Sequence, residues 1–388
     1  MQHIFSAFFQ CLEKWGKILP MLGKNAQKSS NVWKNAGGAM AIRLFRSARG
    51  NPDKLGPEPK NIIVCLDGTW NTPGCDADGV DESTNVYRIS RALHLSRRRQ
   101  VALYVKGIGN ADENNWIGKQ LGGISGTGWL SQLHRAYALL VETYRKGDRI
   151  FLFGFSRGAA VARMLALYLQ ENGVADSFRT GRRAIGPTSK RHKSKFFVEL
   201  GRNRVPVKIE LLGLWDTVGS FGLPRSIGFL KFQRWNLFQN LALAKNVRRA
   251  VHLVAIDEAR ATFHPTLLEP GSRVTELWMP GMHSDVGGGG ARRIANIALR
   301  YMLERAEECG LHVAARFKKL PCDPLAPLSR AEGGRLHGRE LRTIPAYAWF
   351  HGSTAQRYAG LSSWRPVNLP EGWRTRVMRV PKCEGARG

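Results

Sequence analysis

Gly154-Phe155-Ser156-Arg157-Gly158 stands between an apolar run, Arg149-Ile-Phe-Leu-Phe153, and a helical stretch from Ala159 to Gln170. A serine on a sharp turn from strand into helix is held at unfavourable backbone angles. Small residues on either side are needed so that the helix can pass close to the strand. The serine oxygen then projects above the carboxyl edge of a sheet. The next amide, that of Arg157, opens the helix where an oxyanion would gather. The motif therefore demands a buried strand before it, a helix after it, and a sheet built from such units.

The rest of the chain supplies them. Asn61 to Leu66 is an apolar run that stops at Asp67-Gly68-Thr69, the pattern of a buried strand and a turn. A helix is expected from Asn85 to Leu95 and a strand from Val101 to Val105. After a glycine-rich loop, Gly122 to Gly128, comes a helix from Gln132 to Tyr144. Further strands are expected at Ile209–Trp215 and Val274–Trp278, and a helix from Ile294 to Cys309. Strands alternating with helices predict an α/β fold with a mostly parallel central sheet and helices on both faces.

A serine nucleophile needs a base, and the base needs an acid that fixes its tautomer. Asp216 follows the strand ending at Trp215 and is the acid candidate. His283 follows the next such strand, in Gly281-Met-His-Ser-Asp-Val-Gly-Gly-Gly-Gly290, and is the base candidate. Glycines after it let the backbone approach the nucleophile closely. Asp257 and Asp285 stand as fallback acids.

The 388 residues carry 59 Lys and Arg against 30 Asp and Glu, a formal charge of +29. That excess predicts attraction to a polyanion, an anionic membrane or an acidic partner, with nucleic acid not expected as the partner. The six cysteines form no Cys-x-x-Cys pair, which argues against structural zinc and a disulfide framework. No metal or cofactor is called for. Met1 to Leu22 places Ile4, Phe5, Phe8, Phe9, Leu12 and Trp15 at helical spacing opposite Gln10, Lys14 and Lys17. Such an amphipathic helix either packs on protein or lies on a membrane surface. It lacks the basic start of a secretory signal, so cytoplasmic synthesis is expected. The domain reading is a helix and basic linker over residues 1–60, a catalytic domain over 61–310, and a basic, tryptophan-containing extension over 311–388. Within the second, residues 176–206 read as a basic lid or solvated loop insertion.

Six motifs occur in one order: Leu66-Asp-Gly-Thr-Trp-Asn71, the glycine-rich loop, Gly147-Asp-Arg149 with Phe151 to Ala159, Trp215-Asp-Thr-Val-Gly219, Ala255-Ile-Asp-Glu-Ala-Arg260, and Pro280 to Gly289. Over about residues 61–310 the chain resembles the α/β-hydrolase family that includes the first class of type VI secretion lipase effectors. The resemblance implies a Ser156–Asp216–His283 triad and phospholipase activity. It also implies delivery by a contact-dependent secretion system, with a secretion-apparatus component or an immunity protein as partner. In this reading Arg157 and either Gly68 or Thr69 supply the oxyanion amides, while Asp67 and Asp285 support loops.

Two decoys fail on residues. A haloacid-dehalogenase phosphatase would need its nucleophilic Asp where Cys65 stands. A patatin-type dyad would need glycine rather than Val286 after Asp285. The function expected is hydrolysis of acyl esters, of phospholipids first, with a membrane-peripheral enzyme in view. A soluble carboxylesterase and a catalytically vestigial basic binding protein remain the alternatives.

Overall fold

Asn61-Ile-Ile-Val-Cys-Leu66 has no polar alternation because both faces of the strand are covered, the mark of a parallel sheet between helical layers. A computed structural model describes residues 59–68, 83–93, 99–107, 128–185, 193–219, 242–329 and 338–379. The strands of its main sheet are β1 (Asn61–Leu66), β2 (Gln100–Val105), β3 (Arg149–Phe155), β4 (Ile209–Trp215), β5 (Ala250–Ala255), β6 (Val274–Met279), β7 (Trp349–His351) and β8 (Val377–Met378). They lie in the order β8-β7-β6-β5-β4-β3-β1-β2, every neighbouring pair parallel.

Helices α1 (Asn85–Ala92), α2 (Gly128–Thr143), α3 (Arg157–Asn172), α4 (His283–Gly287), α5 (Arg292–Glu308) and α6 (Gly352–Gly360) accompany the strands. Alternate residues Ile63, Cys65, Phe151, Phe153, Leu211, Trp215 and Leu253 form one core with Val86 and Ile89 of α1 and Ile294, Ala298 and Met302 of α5. The intervening positions face the other way, and there α2 and α3 pack together and against β1 and β3.

Strand order reverses between β1 and β3. Loops that leave neighbouring strands in opposite directions open a crevice at the carboxyl edge, where ligands of open α/β sheets bind. β1 ends there at Asp67 and β3 at Ser156.

The chain divides into two units. One holds Pro57–Val174 and Val205–Gly388, and with them the whole main sheet. The other holds Met1–Gly56 and Ala175–Arg204. In the latter, the stretch read as a basic lid or solvated loop contains an antiparallel ribbon, Phe178–Ile185 paired with Lys193–Leu200. Strand pairing satisfies backbone groups that a loop would leave to water.

The boundary expected at residue 310 does not separate a domain. Residues beyond it contribute β7 and β8. Trp364, Trp373, Phe350 and Ile344 bury Val254, Ile256 and Trp278 on the face of β5 and β6 opposite α5. The tryptophans of this extension are thus divided: Trp364 and Trp373 belong to the core, and Trp349 is about half exposed. Met1–Leu22, Thr69 and the Gly122–Thr127 part of the glycine-rich loop lie outside the described residues.

Candidate active site

Ser156 sits at φ 57°, ψ −125° between β3 and α3. It is one of two non-glycine residues at positive φ among those described, and Asp216 at φ 41° is the other. Each such conformation costs about 1–3 kcal/mol and persists only where surroundings impose it. Here they do. The Ser156 amide donates to the Trp215 carbonyl at 3.0 Å, and the Asp216 amide to that of Leu253 at 2.8 Å, so both turns are extensions of the ladder. A Cβ at Gly154 would stand 2.6 Å from Ala159 Cα. Only glycine lets α3 double back so sharply. As the first residue of α3, Arg157 presents an amide with no acceptor within the helix.

Asp216 is fully buried at the end of β4. His283 opens α4 just after β6, and its Nδ1 lies 2.5 Å from Asp216 Oδ2. The imidazole is held on two sides by rings. Phe155 is tilted against it at 4.5 Å, and Phe263 meets it edge-on at 4.9 Å. Asp216 also accepts the Ala255 amide at 2.9 Å on Oδ1.

Arg342, a residue the sequence did not single out, takes both Asp216 oxygens, Nη1 to Oδ1 at 2.7 Å and Nη2 to Oδ2 at 2.9 Å. Burial alone would push this carboxyl up. The charge of Arg342, with the His283 contact, overcomes burial and holds it well below the usual carboxylate range.

Glu258 is the other carboxylate at His283. Its Oε2 accepts the His283 amide at 3.3 Å. Arg260 binds the same carboxylate through Nε at 2.9 Å and Nη2 at 2.7 Å, and lies over the Phe263 ring at 3.7 Å. Behind Asp216, the fully buried His252 accepts the Thr217 amide on Nε2 at 3.0 Å. That fixes its proton on Nδ1, which faces Glu276 Oε2 at 2.9 Å.

The remaining candidates fall into place separately. Asp67 accepts the Gly68 amide at 2.8 Å on Oδ1 and the hydroxyls of Thr84 and Tyr104, each at 2.7 Å, on Oδ2. The Gly68 amide is thereby occupied by its neighbour's side chain, which counts against it as an oxyanion donor. Asp285 accepts the Met282 amide at 2.9 Å, the Ala291 amide at 2.8 Å and the Ser329 hydroxyl at 2.5 Å. Asp257 accepts the Gly281 amide at 2.7 Å and Trp364 Nε1 at 2.8 Å. These bonds tie Asp257 and Asp285 to loop backbone and to Trp364, whereas Asp216 meets the imidazole. Cys65 is buried in the core, and burial raises its thiol. Among the described residues no three His, Cys, Asp or Glu side chains are placed to hold a metal, and no helix is long and apolar enough to cross a membrane.

A parallel sheet with a serine at the β3–α3 turn and a carboxylate–imidazole pair after β4 and β6 defines the α/β-hydrolase-like class. Within that class, residues 60–305 match the family described as type VI secretion system phospholipase effector Tle1-like, catalytic domain. The chain belongs to this family. An uncharacterized protein of Saccharomyces cerevisiae is 25% identical over 255 residues, covering 59% of this chain and 35% of its own length. The chain thus spans about a third of that relative. A solved structure of an uncharacterized protein from Pseudomonas aeruginosa shares 21% identity over 76% of this chain and 51% of its own, with a TM-score of 0.45. The structure of the Tle1 effector bound to the VgrG spike shares 19% identity over 59% of this chain and 51% of its own, with a TM-score of 0.37.

Proposed function

We propose that the protein is a serine esterase that cleaves acyl esters of phospholipids through Ser156, His283 and Asp216. The observation that carries this reading is the 2.5 Å contact between His283 Nδ1 and Asp216 Oδ2, one strand-end away from a serine at φ 57°. With Nδ1 donating to the carboxylate, Nε2 keeps its lone pair and serves as base. It takes the proton of Ser156 as the serine oxygen adds to the ester carbonyl. The tetrahedral oxyanion is met by the Arg157 amide at the positive end of α3. Collapse breaks the bond to the alcohol, which leaves with the proton from His283. Water, deprotonated by the same imidazole, then releases the fatty acid from the acyl-serine. Asp67 and Asp285 act as loop supports.

The phospholipid rather than a small ester is favoured by the family and by the +29 charge, which draws the chain to an anionic lipid surface. In the same reading the protein is an effector carried by a secretion spike. Product analysis on mixed phospholipid vesicles tests the chemistry. Wild type is expected to release fatty acid and lysophospholipid, and Ser156→Ala neither. Turnover of a soluble ester with none on vesicles would favour a carboxylesterase instead. Charge-driven vesicle binding that survives Ser156→Ala, with no turnover of any ester by the parent, would favour the vestigial binding protein.

A further inference from the structure

Each carboxylate near the His283 ring or its amide is matched by an arginine. Asp216 is held by Arg342, and Glu258 by Arg260. The other acids nearby, Asp257 and Asp285, are turned to loop amides, a hydroxyl and Trp364 Nε1. The Arg342 clamp is the more deeply buried one. Its guanidinium is as buried as the carboxylate it binds, at 2% and 0% exposure. Its remaining bonds reach the carbonyls of Ala255 at 2.8 Å and Phe263 at 2.6 Å, so the loops after β5 and around the imidazole converge on it. It enters from 126 residues further along the chain and from outside the family-matched stretch, which ends at residue 305. Nothing in the serine–acid–histidine scheme requires such a partner. A bidentate guanidinium that occupies both oxygens of the acid leaves Asp216 Oδ2 shared between Nη2 of Arg342 and Nδ1 of His283.

We propose that Arg342 is a positioning residue for the reaction: it locks the Asp216 carboxylate in the plane that meets His283 and offsets its charge, so that the imidazolium formed during turnover gives its proton up readily to the leaving alcohol. This rests on the Ser156–Asp216–His283 reading. The physics is charge compensation. A buried, uncompensated carboxylate would bind the imidazolium strongly and hold its proton. A paired one orients the ring at a smaller electrostatic cost.

The test follows hydrolysis of p-nitrophenyl butyrate, and labelling by a fluorophosphonate, from acidic to alkaline pH in the full chain, R342M, R342K and Ser156→Ala. In R342M the acid limb of kcat/KM and of the labelling rate should move up by about one to two pH units, because the compensating charge is gone. In R342K the limb should stay near the parent's while the plateau falls about tenfold, since one ammonium cannot hold both oxygens. A folded R342M with the parental limb overturns the proposal, as does R342K moving as far as R342M. Should R342M not fold, R342K decides alone: a parental limb with a lowered plateau supports the assignment, and parental kinetics throughout overturn it. Absence of Ser156-dependent turnover and labelling in the parent would overturn the triad reading and this inference together. An unchanged limb in an active R342M overturns this inference only.

Discussion

A Cβ on Gly158 would stand 2.2 Å from the carbonyl oxygen of Leu66. The first turn of α3 therefore rides against the backbone of β1, where no side chain can give way. Gly158→Ala should push the helix off the strand and carry Ser156 with it. A loss of stability above about 2 kcal/mol is expected, with activity falling in parallel. Gly271→Ala, where an added Cβ meets nothing within 4 Å, serves as the control. Chemical denaturation of both decides the matter, and a Gly158→Ala protein as stable and active as the parent would remove the strand–turn–helix constraint.

Ser156→Ala and His283→Ala should each lower kcat on a short-chain ester by about 10³-fold or more, because members of a triad act as a unit. Asp216→Asn carries a second penalty. It leaves the buried Arg342 guanidinium without its counter-charge, a loss of about 3–5 kcal/mol. The activity and melting temperature of Asp216→Asn should thus fall together, whereas Ser156→Ala should melt like the parent. If all three variants keep more than half the parental activity, the triad is wrong.

His252 carries the third prediction. Removing the ring in His252→Ala strands the Thr217 amide, takes one partner from Glu276, which keeps the Leu268 amide at 2.8 Å, and loosens the turn that holds Asp216 at φ 41°. A cost of about 2–4 kcal/mol is expected, and kcat should drop more than KM rises. Steady-state kinetics on a folded sample would expose the idea as mistaken if kcat did not change.

Stability should also depend on pH through His351. Burial pushes this imidazole down to about 4, while in the unfolded chain it titrates near 6.5. As pH falls from about 6.5 the unfolded state binds the proton first, so stability declines until about pH 4 and then levels. The whole step is at most about 3 kcal/mol. Its Nδ1 accepts the Ser353 amide at 3.1 Å and caps α6. His351→Asn keeps a capping side chain and removes the titration. Denaturation midpoints against pH should flatten in that variant. An identical slope in parent and variant would assign the dependence elsewhere.

What the sequence disclosed follows from how parallel sheets are built. β1, β3 and β4 read as largely apolar runs because both faces are buried, and each is followed directly by a polar residue on the carboxyl edge: Asp67, Ser156 and Asp216. β6 is half-buried over Val274–Glu276, and His283 lies four residues past its end at Met279. β5, Ala250-Val-His-Leu-Val-Ala255, has at its centre a fully buried histidine, a residue type that local pattern does not assign to a core. β7 and β8 have three and two residues, too few for any period to show. Arg342 left no trace. An arginine among many in a basic chain has no local signature, and only the folded sheet brings it to Asp216. Chain order after the strands nominates Ser156, Asp216 and His283 together, but their distances are set only by the fold. Asp216 is the acid expected from its place after β4, with Asp257 and Asp285 as fallbacks, and in the fold it is Asp216 that meets the imidazole.

The family-matched stretch and the folding unit do not end together. A fragment cut at residue 305 would present the open flank of β6 to solvent, with Trp278, Val254 and Ile256 stripped of Trp364, Trp373 and Phe350. It would also keep Asp216 while losing the cation that holds it. For expression work the meaningful limit lies beyond Met378, and a clone cut at residue 305 would be a sticky, self-associating sheet of six strands whose inactivity says nothing about its serine.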